Sequence, residues 1–262
     1  MLDGAITDGV PDSTARFPQV GLLIFDIDEE PQWRCSGTLL SPTILLTAGH
    51  CTFGATGGRV WFEWDVQNTV PRDNPDTEDV REGYPYATGT SVEFCEIHTH
   101  PEYADGPFVL HDVGVVKLCS MVIVGSNQYG VLPSVDQLDS LKTRRGKQDV
   151  TFTAVGYGLQ KSFPDAVSFK ESRLRIRMIA TPHLLQINVP GFTGDFSMLL
   201  SNNAATGGTC FGDSGGPNFL GNTNTVAAVT SFGISDTCGG TGGVFRMDRQ
   251  NVLDFVNGFL DN

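Results

Sequence analysis

The hexapeptide Gly212–Pro217, with the sequence Gly-Asp-Ser-Gly-Gly-Pro, is the segment of this chain best suited to covalent chemistry. It places Ser214 between small residues, in a loop where the backbone can turn sharply and present its N–H groups. An acyl-transfer nucleophile needs this setting, because its hydroxyl must be exposed and the oxyanion that it creates must meet donors. A glycine turn without a chemical role has the same local pattern, so the residues that could activate Ser214 decide the interpretation.

Two upstream segments supply such residues. Leu46–Cys51 is a short apolar strand that ends around His50, and Asp112 leads into the apolar strand Val113–Leu118. Serine needs a base to take its proton, and histidine suits this role because its unperturbed pKa is about 6.5. A buried carboxylate then fixes the imidazole tautomer and stabilises the imidazolium. The residue types therefore follow one another in the order His, Asp, Ser.

This chain order separates the folds that could carry such chemistry. A Gly-x-Ser-x-Gly pattern around Ser214 also fits the nucleophile elbow of an α/β-hydrolase, but that fold places its histidine after the serine. All five histidines of this chain precede Ser214. A subtilisin-like order needs an aspartate before the histidine, and the candidates Asp26 and Asp28 stand in no fitting motif. The order His, Asp, Ser is therefore the one that the sequence favours.

The three motifs resemble those of the trypsin/chymotrypsin-like serine peptidases. Thr47–Cys51 is similar to the Thr-Ala-Ala-His-Cys of that family, Asp112–Leu118 is similar to its Asp-Ile-Ala-Leu motif, and Gly212–Pro217 is identical to its nucleophile motif. The resemblance implies an all-β fold of two packed six-stranded antiparallel β-barrels with a C-terminal α-helix. The single peptidase domain would span residues 1–262, with barrels over 6–130 and 131–247 and the helix over 248–260.

The resemblance also implies a role for each motif residue. Ser214 would be the nucleophile, His50 the general base and Asp112 the residue that orients the base. The backbone N–H groups of Gly212 and Ser214 would form the oxyanion hole. The implied activity is that of a secreted serine endopeptidase acting through an acyl-enzyme. Two alternatives stay open: a latent zymogen, and a non-catalytic binding protein on the same scaffold.

The implied specificity pocket carries no charge at the positions that match the family, although Asp236 in the nearby glycine-rich loop could supply one. In this family the floor residue stands six positions before the nucleophile, which is Gly208 here, and the wall positions match Gly233 and Gly243. An open, uncharged pocket predicts a preference for a large apolar or aromatic residue before the scissile bond. The segment Ser231–Gly233 resembles the one that binds the substrate backbone as an antiparallel strand, with Phe232 as an apolar wall.

The amino-terminal segment departs from the pattern of the family. Ile6–Gly9 resembles the Ile-Val-Gly-Gly that starts mature enzymes, where the free Ile amine pairs with the aspartate before the nucleophile, here Asp213. Five residues precede Ile6, so its amine is not free as written, and Ala5 is not a tryptic cleavage site. Those five residues are removed, or the chain is a zymogen form, or it is activated in another way.

Six cysteines can pair in many ways if all are oxidised. The resembled family joins a pair of cysteines placed like the first two cysteines of this chain, and another pair placed like its last two. Exclusion then suggests a third bridge between the two cysteines in the middle of the chain. No C-x-x-C spacing supports a zinc site or a redox dithiol. An oxidising compartment, and hence secretion, follows from bridged cysteines. The implied disulfides are Cys35–Cys51, Cys95–Cys119 and Cys210–Cys238.

Charge and hydropathy limit the partners. The chain has 30 acidic and 17 basic residues and a net charge of −13, which disfavours nucleic acid and anionic membranes. No apolar run approaches the length of a transmembrane helix, and no signal-peptide pattern follows Met1. We therefore expect a monomer whose partners are protein or peptide substrates and protein inhibitors.

We expect no catalytic metal or other cofactor. His98 and His100 stand two apart on one strand face, but no third ligand lies nearby in sequence, so a solvated face is the favoured interpretation. The acidic run Asp73–Asp79 could hold a structural calcium ion, which prefers clustered oxygens, although EF-hand spacing is absent. His111 is expected at the rim of the site and not as a second base.

Short apolar runs bounded by turn residues predict a strand-rich chain. One helix stands out at the carboxyl end, where apolar residues recur at helical spacing after Asp248, a suitable N-cap. The predicted strands are Val20–Phe25, Cys35–Leu40, Ile44–Thr47, Val60–Trp64, Val113–Leu118, Asp149–Gly156, Arg173–Ile179, Ser197–Leu200, Val226–Phe232 and Val244–Met247.

Overall fold

Antiparallel strands form most of the regular structure in the computed structural model of this protein, which confirms the predicted all-β class. The acidic run that could hold calcium lies outside the described residues. None of the described helices is both long and apolar enough to cross a membrane. The structure describes residues 6–70, 90–106, 110–125, 128–141, 149–160, 174–189, 194–235 and 238–260.

The first half of the chain forms a closed barrel of six strands in the order β2-β3-β4-β7-β6-β5. Its interior is filled by apolar side chains such as Leu23, Leu45, Val60 and Val116, all with no exposed surface. Strands β2 and β4 are buried almost throughout, because one face points into the barrel and the other packs on neighbouring elements. The barrel strands are β2 (Val20–Ile27), β3 (Glu30–Leu39), β4 (Ile44–Thr47), β5 (Gly57–Trp61), β6 (Val92–Thr99) and β7 (Gly114–Leu118).

The second half forms a curled eight-stranded sheet in the order β1-β9-β8-β12-β13-β14-β11-β10. Within the described residues the sheet does not close, because its edges are the short β1, contributed by the amino-terminal segment, and β10. A six-stranded barrel was expected here. The strands are β1 (Val10–Pro11), β8 (Phe152–Gly156), β9 (Met178–Ala180), β10 (Leu184–Val189), β11 (Gly194–Asn202), β12 (Pro217–Leu220), β13 (Val226–Gly233) and β14 (Gly240–Arg246).

A shared core and a buried arginine fix the two halves against each other. The guanidinium of Arg177 has no exposed surface, and it pairs with the carboxylate of Asp12 at 2.7 Å. It also donates to the backbone carbonyls of Val20 at 3.0 Å and Phe62 at 2.9 Å, both in the first half. A buried charge is costly without such partners, so these contacts favour a single relative placement of barrel and sheet.

Short helices and turns connect the strands, and a longer helix follows the sheet. The predicted C-terminal helix is confirmed, but Asp248 does not serve as its N-cap side chain. The carboxylate of Asp248 instead accepts hydrogen bonds from Arg246 and from the backbone of Leu138. These elements are α1 (Gly49–Thr52), α2 (Val66–Thr69), a 3₁₀ turn at Tyr103–Asp105, another at Gln137–Ser140, and α3 (Gln250–Leu260).

Three disulfide bonds cross-link the described part of the chain. One joins β3 to α1, one joins β6 to the residue after β7, and one joins the segments on either side of β12 and β13. The pairing is the one implied by the family resemblance and by exclusion. The bridges are Cys35–Cys51, Cys95–Cys119 and Cys210–Cys238.

Candidate active site

His50 lies in α1, directly after β4, where the end of a buried strand delivers it to the boundary between the two halves. Its ring nitrogen Nδ1 lies 2.9 Å and 3.1 Å from the two carboxylate oxygens of Asp112. The backbone N–H of His50 also donates to Asp112 at 2.7 Å. One carboxylate therefore fixes both the main chain and the ring orientation of this histidine.

The carboxylate of Asp112 has no exposed surface and receives a further donor from the second half of the chain. The hydroxyl of Ser231, in β13, donates to Oδ2 of Asp112 at 2.5 Å. Ser231 was predicted to contact the substrate backbone, and its side chain has this additional task. A buried carboxylate needs several donors to compensate for lost hydration, and here they come from both halves.

The environment of His50 shifts the pKa of its imidazole upward. Burial by itself lowers this pKa, because it disfavours the charged ring. The negative charge of Asp112 and its hydrogen bond to the ring act in the opposite direction and outweigh the burial, so the pKa lies above its usual value of 6.5. The ring is therefore a stronger base than a free histidine, as proton abstraction from a hydroxyl requires.

Ser214 lies in a tight loop that β3 holds in place. The backbone carbonyl of Ser214 accepts from the N–H of Ser36 at 2.8 Å, and the Ser36 hydroxyl donates to the carbonyl of Gly212 at 3.0 Å. Gly212 and Gly215 have φ of +95° and +76°, a region that favours glycine. A Cβ on Gly215 would approach Thr47 to 2.0 Å, so the close contact with β4 also requires glycine.

The loop leaves two backbone donors without partners. Within the described part of the chain, the N–H groups of Gly212 and Ser214 donate no hydrogen bond. Neighbouring groups do bond: Asp213 donates to Cys210 at 3.0 Å and Gly215 to Thr230 at 2.8 Å. The two residues predicted to form an oxyanion hole therefore keep their N–H groups available for a ligand.

His50 and Ser214 line one cavity of about 300 Å³. Phe232 and Gly233 line it as well, as predicted, and so does Phe211, which the sequence analysis did not single out although it directly precedes the nucleophile motif. Among the described residues that line this cavity, His50 is the one ionisable side chain. The cavity wall thus combines a serine hydroxyl and an imidazole ring with aromatic surface.

Gly208 and Gly243, the other two predicted pocket residues, are not among the described residues that line the cavity. The backbone of Gly208 pairs with Thr7, and a Cβ on Gly208 would meet the Asn202 side chain at 2.2 Å. A Cβ on Gly243 would meet the ring of Phe232 at 2.2 Å. The sequence spacing could not show whether these glycines line the cavity, because side chains from other segments of the chain fill the space next to them.

Asn202 is a buried polar residue that the sequence analysis missed. Its side-chain oxygen accepts from the Thr7 hydroxyl at 2.6 Å, and its amide donates to the carbonyl of Thr209 at 2.8 Å. It thereby connects the amino-terminal segment to the wall of the cavity. No local motif marks this residue, since it acts through contacts between segments far apart in the chain.

Ile6 and Asp213, the predicted activation pair, are both buried. Ile6 has no exposed surface and packs in a cluster with Ala154. The carboxylate of Asp213 is also buried and accepts from the backbone of Gly158 at 2.7 Å and of Cys210 at 2.9 Å. Burial raises the pKa of Asp213 to about 7, although these donors and the charge of Arg34 lower it.

Comparison with known proteins identifies the family. The family model described as Trypsin matches residues 6–256. This chain belongs to the trypsin family. Serine protease 1 of Drosophila melanogaster is 26% identical over 99% of this chain and 84% of its own length. Brachyurin of Leptuca pugilator is 29% identical over 88% of this chain and 86% of its own length.

A solved structure of HL collagenase has the same fold as this trypsin-family chain. Its TM-score is 0.70, with 20% sequence identity over 98% of this chain and 99% of that one. The curated collagenase of Hypoderma lineatum is 26% identical over 88% of this chain and 78% of its own length. The family and the architecture implied by the motifs are thus confirmed.

The coupling between His50 and Asp112 generates a prediction about protonation. In the unchanged protein we expect the pKa of His50 above 6.5, and Asp112→Asn should lower it below 6.5, because burial then acts without an opposing charge. NMR titration of the imidazole signals measures both values. Glu96→Gln, which removes a carboxylate beside His98, is the matched control and should leave the His50 titration unchanged. Equal values for His50 in the unchanged protein and Asp112→Asn would refute the coupling.

Proposed function

We propose that this chain is a secreted serine endopeptidase that hydrolyses peptide bonds through an acyl-enzyme. The observation that supports this most directly is the His50 ring, bound through Nδ1 to Asp112 at 2.9 Å, in the same cavity as Ser214. Membership of the trypsin family supports the general activity of a serine protease. The three disulfides support an oxidising compartment, and hence secretion.

The proposed reaction assigns a task to each residue of the site. The Ser214 oxygen attacks the substrate carbonyl carbon while its proton passes to Nε2 of His50, and Asp112 stabilises the imidazolium that forms. The C–N bond then breaks, and the leaving amine takes that proton. Water attacks the resulting ester by the same proton route, which releases the acid and regenerates the Ser214 hydroxyl. The N–H groups of Gly212 and Ser214 stabilise the oxyanion in both steps.

The end of β13 offers a place for the substrate backbone. β12 pairs with β13 as far as Val229, whereas β14 follows β13 to Gly233. Ser231 and Gly233 therefore lie on a part of the strand that extends past β12 and beside the cavity. We propose that an extended peptide adds here as an antiparallel strand, since backbone pairing is the usual way to bind such a substrate at a sheet edge.

We further propose that the side chain before the scissile bond is large and apolar or aromatic. The described lining of the cavity contains Phe211 and Phe232 and no carboxylate that could pair with Lys or Arg. A volume of about 300 Å³ suits one large side chain. Aromatic rings and an absence of counter-charge favour transfer of an apolar group from water.

Profiling a mixed peptide library tests this specificity. Phe, Tyr, Leu or Met is expected before the cleaved bond, and Gly233→Val should lower kcat/KM for aromatic substrates at least about tenfold relative to alanine substrates. A Cβ at Gly233 meets nothing closer than 3.6 Å, so this variant should fold. Gly258→Ala, which adds a methyl group on α3 away from the cavity, is the control. Preference for Lys or Arg would contradict the proposed pocket and leave the catalytic assignment standing.

We propose that cleavage after Ala5 activates the enzyme, because it would free the Ile6 amine to pair with Asp213. Ile6 is already buried, and Thr7 pairs through its backbone with Gly208. The carboxylate of Asp213 forms no ion pair with a described residue. A buried carboxyl without a paired charge costs free energy when it ionises, and a nearby ammonium group would remove that cost.

The pKa of Asp213 gives a test of this activation step. Its value of about 7 in the folded protein exceeds about 3.9 in the unfolded chain, so the folded protein binds more protons between these pH values. The free energy of unfolding should therefore fall as pH rises from about 4 to about 7 in the uncleaved protein. Asp213→Asn, and protein cleaved before Ile6, should lack this component in urea titrations at pH 5 and pH 7.5. The same pH dependence in all three proteins would refute the proposed pairing.

Replacing the nucleophile tests the catalytic assignment itself. Ser214→Ala should lower kcat on the order of 10⁶-fold while thermal unfolding stays unchanged, because the hydroxyl forms the covalent bond. A serine-directed covalent inhibitor should label Ser214 in the cleaved protein, as measured by mass spectrometry. Undiminished peptidase activity in Ser214→Ala would contradict the proposal. Absence of labelling in folded, cleaved protein would favour a non-catalytic binding protein.

A further inference from the structure

A second cluster of side chains with ligand chemistry lies next to Asp112, separate from the described lining of the cavity. It consists of His100, Glu102 and His111, and one ligand atom from each lies within 4.8 Å of the others. The two imidazole rings stack with centroids 5.0 Å apart and 16° between their planes. Imidazole nitrogen and carboxylate oxygen are ligands that Zn²⁺ accepts in proteins.

We propose that His100, Glu102 and His111 bind one Zn²⁺-type ion and that this ion lowers the activity of the enzyme through Asp112. The sequence analysis expected no metal because His98 and His100 lack a third ligand. The structure turns His98 to Glu96, at 2.9 Å, and brings His111 from across a loop to His100 instead. The binding half of the proposal is independent of catalysis, whereas the inhibitory half rests on the proposed peptidase function.

The hydrogen bonds of the two rings indicate which nitrogen of each ring is unprotonated. Nδ1 of His100 accepts from the backbone N–H of Glu102 at 3.2 Å, and Nδ1 of His111 lies 3.2 Å from the side-chain amide nitrogen of Asn251. Amide N–H groups donate, so each Nδ1 is unprotonated, and a bound ion would displace the amide donor and take the single lone pair that now accepts this hydrogen bond.

Burial and packing hold the rings while leaving an entrance for the ion. His100 is 4% exposed and packs against Phe255, and His111 packs against Phe196, each with centroids just over 5 Å apart. The side chain of Glu102 is 57% exposed, with a carboxylate oxygen 3.6 Å from Nδ1 of His111. An ion can thus enter from solvent on the Glu102 side and keep water as a fourth ligand.

The backbone links this cluster to the catalytic aspartate. Val113 donates its N–H to the carbonyl of His111 at 2.8 Å, and His100 donates its N–H to the carbonyl of Val113 at 3.0 Å. Asp112 therefore lies in a short turn enclosed by two of the ligands. His111 has φ of +55°, so it adjusts its backbone less freely than most residues. Tetrahedral ligation brings ligand atoms to roughly 3.3 Å of one another, so the His111 ring would have to move toward the other two ligands. This movement would shift Asp112, the next residue, and weaken its hydrogen bond to His50.

Calorimetric titration of Zn²⁺ into full-length Ser214→Ala protein tests the site without any turnover. We expect one ion per chain, and we expect His111→Asn and Glu102→Gln each to raise Kd at least about tenfold. Asparagine tolerates the left-handed backbone of His111, and Glu102 is exposed, so both variants should fold. His98→Asn removes another carboxylate-paired histidine, two residues before His100, and should leave Kd unchanged.

Activity measurements with the Ser214 protein test the inhibitory half. Saturating Zn²⁺ should lower kcat about 5- to 150-fold with little change in KM, because the effect acts on the general base. His111→Asn and Glu102→Gln should lose this sensitivity, and Ca²⁺, which prefers oxygen ligands, should have no effect at the same concentration.

Three results would overturn the proposal. Equal Kd for Zn²⁺ with and without His111→Asn would refute the site, and so would loss of binding in His50→Ala with His111→Asn unaffected. Binding that depends on His111 and Glu102 but leaves kcat unchanged would refute the inhibitory half. A protein without peptidase activity would refute the proposed function, and calorimetry would still decide the metal site.

Discussion

The fully buried carboxylate of Asp112 is the group on which the arrangement of the site depends. A charge without solvent needs donors, and Asp112 obtains them from the main chain and ring of His50 and from the hydroxyl of Ser231. The first two belong to the barrel and the third to the sheet. Satisfying one carboxylate therefore helps to align the two halves of the chain at the cavity that contains Ser214.

A second buried carboxylate in the site has a different balance of partners. Asp213 has two backbone donors and no ion pair with a described residue, and its pKa is raised to about 7. Asp112, in contrast, faces a histidine ring that can carry positive charge. The two aspartates thus divide two tasks. One holds the His50 ring in position, and the other, in the activation that we propose, would receive the freed amine of Ile6.

The turn around Asp112 connects the His50 site to a cluster of side chains outside the described lining of the cavity. His111 precedes Asp112 and stacks on His100, while Val113 follows it and bonds the backbone of both histidines. A ligand that moves the His111 ring therefore acts on the residue directly before Asp112. The rigidity that keeps the base oriented is therefore also what would make the site sensitive to a bound ion.

The sequence by itself determined the family, the candidate site residues and most of the strands. Triad residue types, their order, the glycines of the nucleophile loop and the apolar runs of β2, β4 and β13 are local patterns, and turn geometry or side-chain period fixes them. Only the tertiary structure decided what lies beside what: Asn202 under Gly208, the Phe232 ring on Gly243, Asp248 bound to Arg246 and not capping α3, and His111 stacked on His100. The physical reason is that most of these contacts join segments far apart in the chain. Their distances depend on how the whole core packs, and the periodicity of a single helix or strand carries no information about that packing.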